Sequence, residues 1–241
     1  MFLGVSYGVV MDMFDMESIE VLRGPQGLLF GRNVTGGAVS LRTQRPTGDF
    51  AAKIKVQATD HQEYTYAGAV EGTLIEDKLF GKVVAYRNND NGYFDYNGTG
   101  NKAGVAYLSP GSETVGAIDT TFFRGTVVFE PTDELQLTLI TESGSMKGDG
   151  GAWSNLTEVL DPAKGEYLSD QKNKFTGSGD AGSYTDGKWS HGILEVNYQI
   201  NDTSSLTNIL AYREIDFDSA TDIDGSDASI FEVAGRTIQD Q

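Results

Sequence analysis

Three arginines, Arg23, Arg32 and Arg42, flank and punctuate a stretch rich in glycine (Gly24, Gly27, Gly31, Gly36, Gly37). A guanidinium fork pairs best with carboxylates, and dry pairs of that kind are directional as well as strong. The chemistry on offer is therefore docking by ion pairs. Candidate partners are Glu71, Glu130, Glu142 and Glu195, which fall within alternating segments further along the chain. The glycines serve backbone geometry, at positive φ or close approach. A phosphate cradle is excluded, because the stretch lacks the Lys-Ser/Thr of a P-loop and the spacing of a dinucleotide fingerprint.

No catalytic constellation emerges. His61 and His191 are the only histidines and lie far apart, without the partners of a hydrolase triad or a zinc site. The acidic run Asp222 to Asp227 resembles a calcium loop, but its twelfth position is Val233 rather than a bidentate Glu. We expect no enzyme activity, no cofactor and no resident metal.

The elements that must position these residues are strands. Ile19 to Leu22 is a short apolar run halted by Arg23-Gly24-Pro25. Pro25 suits the first turn of a short helix, Gln26 to Phe30, and Gly36-Gly37 opens a second strand, Ala38 to Thr43. From Phe50 the pattern alternates. Phe50, Ile54 and Val56 share one face, and Lys53 and Lys55 share the other. Tyr64, Tyr66 and Val70 oppose Glu71. Phe123, Val127 and Phe129 oppose Arg124, Thr126 and Glu130. Leu135, Leu137 and Leu139 oppose Gln136, Thr138 and Glu142. Leu194, Val196 and Tyr198 oppose Glu195 and Asn197. The run Leu79 to Asn89 puts Lys82 and Arg87 on opposite faces, and Ser205 to Phe217 alternates poorly.

Short turns near Glu76, Thr132 and Asp202 alternate with long polar segments, Asp90 to Thr121, Gly144 to Lys188 and Asp218 to Ala234. Outer-membrane barrels have that rhythm, with short turns at one rim and long loops at the other. No stretch approaches the ~18 apolar residues of a spanning helix, but barrel strands need only ~9–11 residues with one face apolar. With 30 glycines, 23 tyrosines plus phenylalanines and no cysteine in 241 residues, the composition suits all-β architecture. The net charge of −17 excludes nucleic acid as a partner. The reading is seven strands and the start of an eighth before Gln241. Trp153, Trp189, Tyr64, Tyr86, Tyr93 and Tyr212 are candidates for an interfacial aromatic belt.

The stretch Ile19-Glu20-Val21-Leu22-Arg23-Gly24-Pro25-Gln26-Gly27, Leu29-Phe30-Gly31-Arg32-Asn33, Thr35-Gly36-Gly37-Ala38 and Arg45-Pro46 closely resembles the end of the plug domain in TonB-dependent outer-membrane receptors. Phe2 to Gly8 and Met13-Phe14-Asp15-Met16 resemble the family's approach to that motif. The resemblance implies a mainly β fold: a partial transmembrane antiparallel barrel of about seven to eight strands with the remnant of an α/β plug. Residues 1–47 would end the plug, and 48–241 would begin the wall. Arg23 to Thr43 should lie on the sheet's concave surface. Lys53, Lys55, Glu71, Arg124, Glu130, Glu142 and Glu195 should face the lumen.

The implied function is energy-coupled import of a scarce nutrient, most often a ferric siderophore, across a Gram-negative outer membrane. Its partners would be outer-membrane lipid, the siderophore, and TonB acting on an N-terminal box. Met1 is followed by neither a signal peptide nor that box, so the chain reads as a truncated fragment. Plugged barrels have ~22 strands, and open edges in lipid leave backbone groups unsatisfied, so these residues alone should not form a channel. The competing readings are a soluble or surface β-rich binding protein, carbohydrate-binding or adhesin-like, and an inactive gene remnant.

Overall fold

The structure, a computed structural model, describes residues 14–25, 27, 36–96, 114–149, 160–161, 166–167, 176–177, 183–223 and 232–240. The expected short helix from Gln26 to Phe30 lies almost wholly outside these residues. The two strands around it form as expected. β1 (Met16–Arg23) and β2 (Gly37–Thr43) pair antiparallel, with Val21 opposite Val39. Gly37 closes the pair at φ +145°, and a Cβ there would lie 2.5 Å from the Leu22 carbonyl oxygen, so only glycine fits.

The rest is dominated by one eight-stranded antiparallel sheet. Its strands are β3 (Ala51–Ala58), β4 (Glu63–Ile75), β5 (Leu79–Asp90), β8 (Ile118–Thr132), β9 (Leu135–Gly148), β13 (Tyr184–Asn201), β14 (Ser204–Asp222) and β15 (Glu232–Asp240). Each pairs with the next, and β3 and β15 are the open edges. Short strands decorate the longer connections: β6 (Phe94–Tyr96), β7 (Thr114–Val115), β10 (Leu160–Asp161), β11 (Glu166–Tyr167) and β12 (Thr176–Gly177). β12 pairs with β6, which ties two of the long connections together at one rim.

The short turns sit at the other rim. Asp77 takes φ 58°, and Lys78 N–H donates to the Ile75 carbonyl at 3.1 Å. Asn201 Oδ1 accepts from Thr203 N–H at 3.1 Å, an Asx turn.

Two expectations need correction. The segments Gly144 to Lys188 and Asp218 to Ala234 are only partly loop. β9 runs to Gly148 and β13 begins at Tyr184, with Gly144 opposite Trp189. β14 runs to Asp222 and pairs there with Glu232. A backbone ladder does not require apolar side chains, so strands continue where the side chains have turned polar. Nor does the β1–β2 hairpin lie along the sheet. Its strands rest on each other and scarcely touch the sheet, leaving Val21 and Val39 more than half exposed. The contact with the sheet is made by residues just before β1 and just after β2.

Alternation sorts the sheet into two faces. Ile54, Val83 and Phe123 point outward and are well exposed, whereas Ala67, Ala69, Val84, Tyr86, Phe122, Thr126 and Thr138 point inward and are buried. Lys82 and Arg87 do take opposite faces: Lys82 is buried, and Arg87 is exposed near the strand end, paired with Asp119 at 2.8 Å. β14 alternates poorly because Asn208 falls outward, opposite Val196, while Ile209 falls inward, opposite Glu195.

Candidate functional site

The inner face carries a docking site for the segment that flanks the hairpin. Phe14 is buried in an apolar cluster with Ala67 and Ala69 of β4, Val84 and Tyr86 of β5, and Phe122 of β8. Lys53 Nζ lies 5.3 Å from the centre of the Phe14 ring, close enough for a cation–π contact. Asp15 follows at φ 61°, a left-handed conformation that Asp tolerates better than most residues. Its carbonyl accepts from Gln44 N–H at 3.1 Å, closing the base of the hairpin. Its Oδ1 lies 2.7 Å from Lys82 Nζ.

Lys82 also contacts Glu71 Oε2 at 3.0 Å and donates to the Gln44 carbonyl at 3.4 Å. Thr47 Oγ1 donates to Glu71 Oε1 at 2.9 Å. Arg45 Nη2 lies 2.7 Å from Glu195 Oε2, and Asn197 Nδ2 donates to the other oxygen of Glu195 at 2.8 Å. Thr73 Oγ1 donates to the Gly48 carbonyl at 2.6 Å. Lys82 and Glu195 belong to β5 and β13, with β8 and β9 between them. At ~4.8 Å per strand that is ~14 Å, so Gln44 to Thr47 must cross the inner face to reach both.

Beside this contact, the wall carries layers of side chains in register. One row runs Arg124, Glu142, His191, Arg213 across β8, β9, β13 and β14. Arg124 Nε donates to Glu142 Oε2 at 2.7 Å, and Trp189 Nε1 donates to Glu142 Oε1 at 2.9 Å. His191 Nδ1 sits 4.0 Å from the same oxygen. The next row is Tyr86, Phe122, Gly144, Trp189, Ile215. Tyr86 and Phe122 stack at 4.8 Å between centroids, and Arg124 Cζ lies 5.3 Å from the Phe122 ring centre. A charged layer beneath an aromatic one makes a stiff, amphipathic inner surface. Its buried ion pairs are costly to break from one side only.

The residues singled out from sequence fall as follows. Glu71, Arg124 and Glu142 are buried on the inner face. Lys53 and Lys55 share that side of β3, opposite the well-exposed Ile54 and Val56. Glu130 accepts from Gln136 Nε2 at 2.6 Å within the wall. Glu195 binds the flanking segment, through Arg45 rather than Arg23 or Arg42. Arg42 is exposed on the hairpin, as are Arg23 and Pro25. Gly24 takes φ +81° and Gly37 φ +145°, while a Cβ at Gly27 or Gly36 would meet nothing within 4 Å among the described residues. Gly31, Arg32, Trp153 and most of the acidic run Asp222 to Asp227 lie outside the described residues.

The aromatic belt needs correction: Tyr64 and Tyr212 face outward, but Tyr86 is buried inward and Trp189 bonds Glu142 on the inner face. Phe14, Asp15, Arg45 and Thr47 received no role from sequence, although Phe14-Asp15 lie in the approach to the plug-like motif and Arg45 at its end.

No family model matches the chain. Over 88 residues, 36% of this chain, it is 30% identical to the pesticin receptor of Yersinia enterocolitica, of which the match covers 13%. Over 199 residues, 78% of this chain, it is 25% identical to the probable TonB-dependent siderophore receptor PirA of Acinetobacter baumannii, of which the match covers 25%. Over these stretches the chain is similar to TonB-dependent receptors. The solved structure of the Pseudomonas aeruginosa receptor FpvA bound to heterologous pyoverdines overlies 90% of the chain and 26% of its own, with a TM-score of 0.68 at 18% identity. The fold is thus that of a stretch of TonB-dependent receptor barrel wall. The chain spans a quarter or less of the length of these relatives.

Proposed function

We propose that this chain supplies the last plug strands, within residues 1–47, and the first wall strands, within 48–241, of a TonB-dependent receptor that imports a ferric siderophore. The observation that carries the reading is the seating of Phe14-Asp15 and Gln44 to Thr47 on the inner face of the sheet, while the outer face exposes Ile54, Val56, Val83 and Phe123. A soluble sandwich would bury one such face against a second sheet. Here the outer face suits lipid and the inner face suits a plug. That the matched relatives are named as pesticin and siderophore receptors supports the substrate class.

In this reading Glu71, Glu142, Arg124 and Glu195 line the lumen. The glycine-rich motif with Arg23, Arg32 and Arg42 shapes the plug. The open edges at β3 and β15 pair with further wall. The parent resides in the outer membrane of a Gram-negative bacterium. TonB acts on another part of the parent, and the chain contributes gating rather than catalysis.

The test is uptake by the intact parent. Iron-starved cells carrying it should accumulate radio-iron from at least one of a panel of ferric siderophores, and loss of TonB should abolish this. Accumulation unaffected by deleting the parent gene, or parent protein recovered monodisperse without detergent, would overturn the reading.

A further inference from the structure

We propose that Asp15 and Glu71 are alternate counter-ions of one ammonium, Lys82, so that the plug-side anchor can leave without stranding a charge in the wall. This rests on the reading of residues 1–47 as plug.

The side chains of Lys82, Asp15 and Glu71 are 4%, 3% and 7% exposed, so the cluster is dry. An ammonium has three N–H donors, and Lys82 has three oxygen neighbours: Asp15 Oδ1, Glu71 Oε2 and the Gln44 carbonyl. Two of these belong to the docked segment. The third belongs to the wall, since Glu71 sits directly across the β4–β5 ladder from Lys82.

With the segment seated, two carboxylates share one cation, and the cluster carries surplus negative charge. With the segment gone, Lys82 and Glu71 remain as a neutral cross-strand pair. A buried cation with one plug-side carboxylate would resist undocking, because release would strand it. Glu71 removes that barrier.

Asp15 itself is poorly rewarded for staying. Its backbone is left-handed, and its Oδ2 is buried without a hydrogen-bond partner among the described residues. Both burdens vanish on release. The other charged tie to the wall, Arg45–Glu195, is partly exposed, and both of its ends can be hydrated when parted. Arg124–Glu142 stays within the wall throughout. The docked segment is thus held by contacts that can each be surrendered singly.

Hydrogen exchange on the detergent-solubilised parent tests this, reading residues 14–15 and 44–47 for the segment and β4–β5 peptides for the wall. Glu71→Gln leaves Asp15 as the sole counter-ion, so opening of the segment should slow. A purely structural role for Glu71 predicts the opposite, and opening that is unchanged or faster overturns the proposal. Asp15→Asn should speed exchange of the docked residues with the wall unchanged within about two-fold, the spread expected of independent sites. In the Glu71→Gln background the same change strips Lys82 of both partners, and wall exchange should rise well beyond the sum of the single effects. Additivity within about two-fold overturns the proposal. If the double variant does not fold, the sign of the Glu71→Gln effect alone decides. Failure of these tests in a parent that still imports siderophore refutes the shared cation and leaves the transport reading standing. A parent that resides elsewhere than the outer membrane refutes the transport reading instead.

Discussion

Trp189 faces Gly144 across the β9–β13 ladder, and its indole fills the space that a side chain at position 144 would occupy. A Cβ there would also lie 2.8 Å from Phe122 Cβ on the far strand. The glycine lets the indole lie flat along the wall and reach Glu142 with its N–H.

Gly144→Ala should therefore displace Trp189 and break that hydrogen bond. The expected cost is ~1–3 kcal/mol, the range for overpacking. A red shift and loss of intensity in tryptophan emission should accompany the lower unfolding midpoint. Gly192→Ala is the control. It lies on β13, the strand of Trp189, with nothing among the described residues within 4 Å of where a Cβ would stand, and its midpoint should hold or rise slightly.

Glu142 gathers Arg124, Trp189 and His191 around one carboxylate. Arg124→Met would leave that carboxylate buried without its guanidinium, at ~3–5 kcal/mol. Arg124→Met combined with Glu142→Gln should recover part of the loss, because the carboxylate bared by the first change is gone, although Arg213 then loses the nearby Glu142 charge. Denaturant midpoints of the two variants decide it. Equal losses would mean that Arg124 acts by packing on Phe122 rather than by charge.

Much of this wall was legible beforehand, and the misses are instructive. The side on which Lys53, Glu71, Arg124 and Glu195 lie follows from a period of two and from the cost of a charge in lipid. That same parity already assigned Tyr86 to the Lys82 side and Trp189 to the Glu195 side. Reading them as belt aromatics let residue type override position. The loops were drawn too long because Gly144 and Gly148 read as loop residues, whereas the ladder uses Gly144 to make room for an indole. The Asp15–Lys82 and Arg45–Glu195 contacts were not legible. They join residues 67 and 150 positions apart, and only the crossing of the inner face by Gln44 to Thr47 brings them together.

Asp149, at the rim just beyond β9, gives a pH handle. Burial pushes its carboxyl above the usual carboxylate range, and the hydrogen bond from Ala117 N–H opposes this. A raised pKa means that the fold prefers the neutral form. The contribution is full below the ordinary Asp pKa of about 3.9 and is lost as pH rises through the folded value. Exchange at the Ala117 amide, relative to unstructured amides at the same pH, should grow over that window in the native chain. In Asp149→Asn, which keeps an acceptor without the charge, it should stay level. Growth that persists in the Asn variant would assign the effect to another group.

The outer face offers the sharpest discrimination between a lipid-facing wall and a soluble sheet. Phe123 is 64% exposed, flanked inward by the buried Phe122 and Arg124. If hydrocarbon covers it, Phe123→Lys costs ~2–4 kcal/mol near the bilayer midplane. The heat-modifiable folded fraction recovered in lipid vesicles should then fall sharply. Asp133→Lys, in the turn between β8 and β9, puts the same ammonium at the rim, with a larger change in net charge, and should cost close to nothing. In a water-exposed sheet both lysines would be tolerated, and Phe123→Lys would improve solubility. Equal folded fractions for the two variants would therefore remove lipid from the outer face, and with it the barrel reading of the wall.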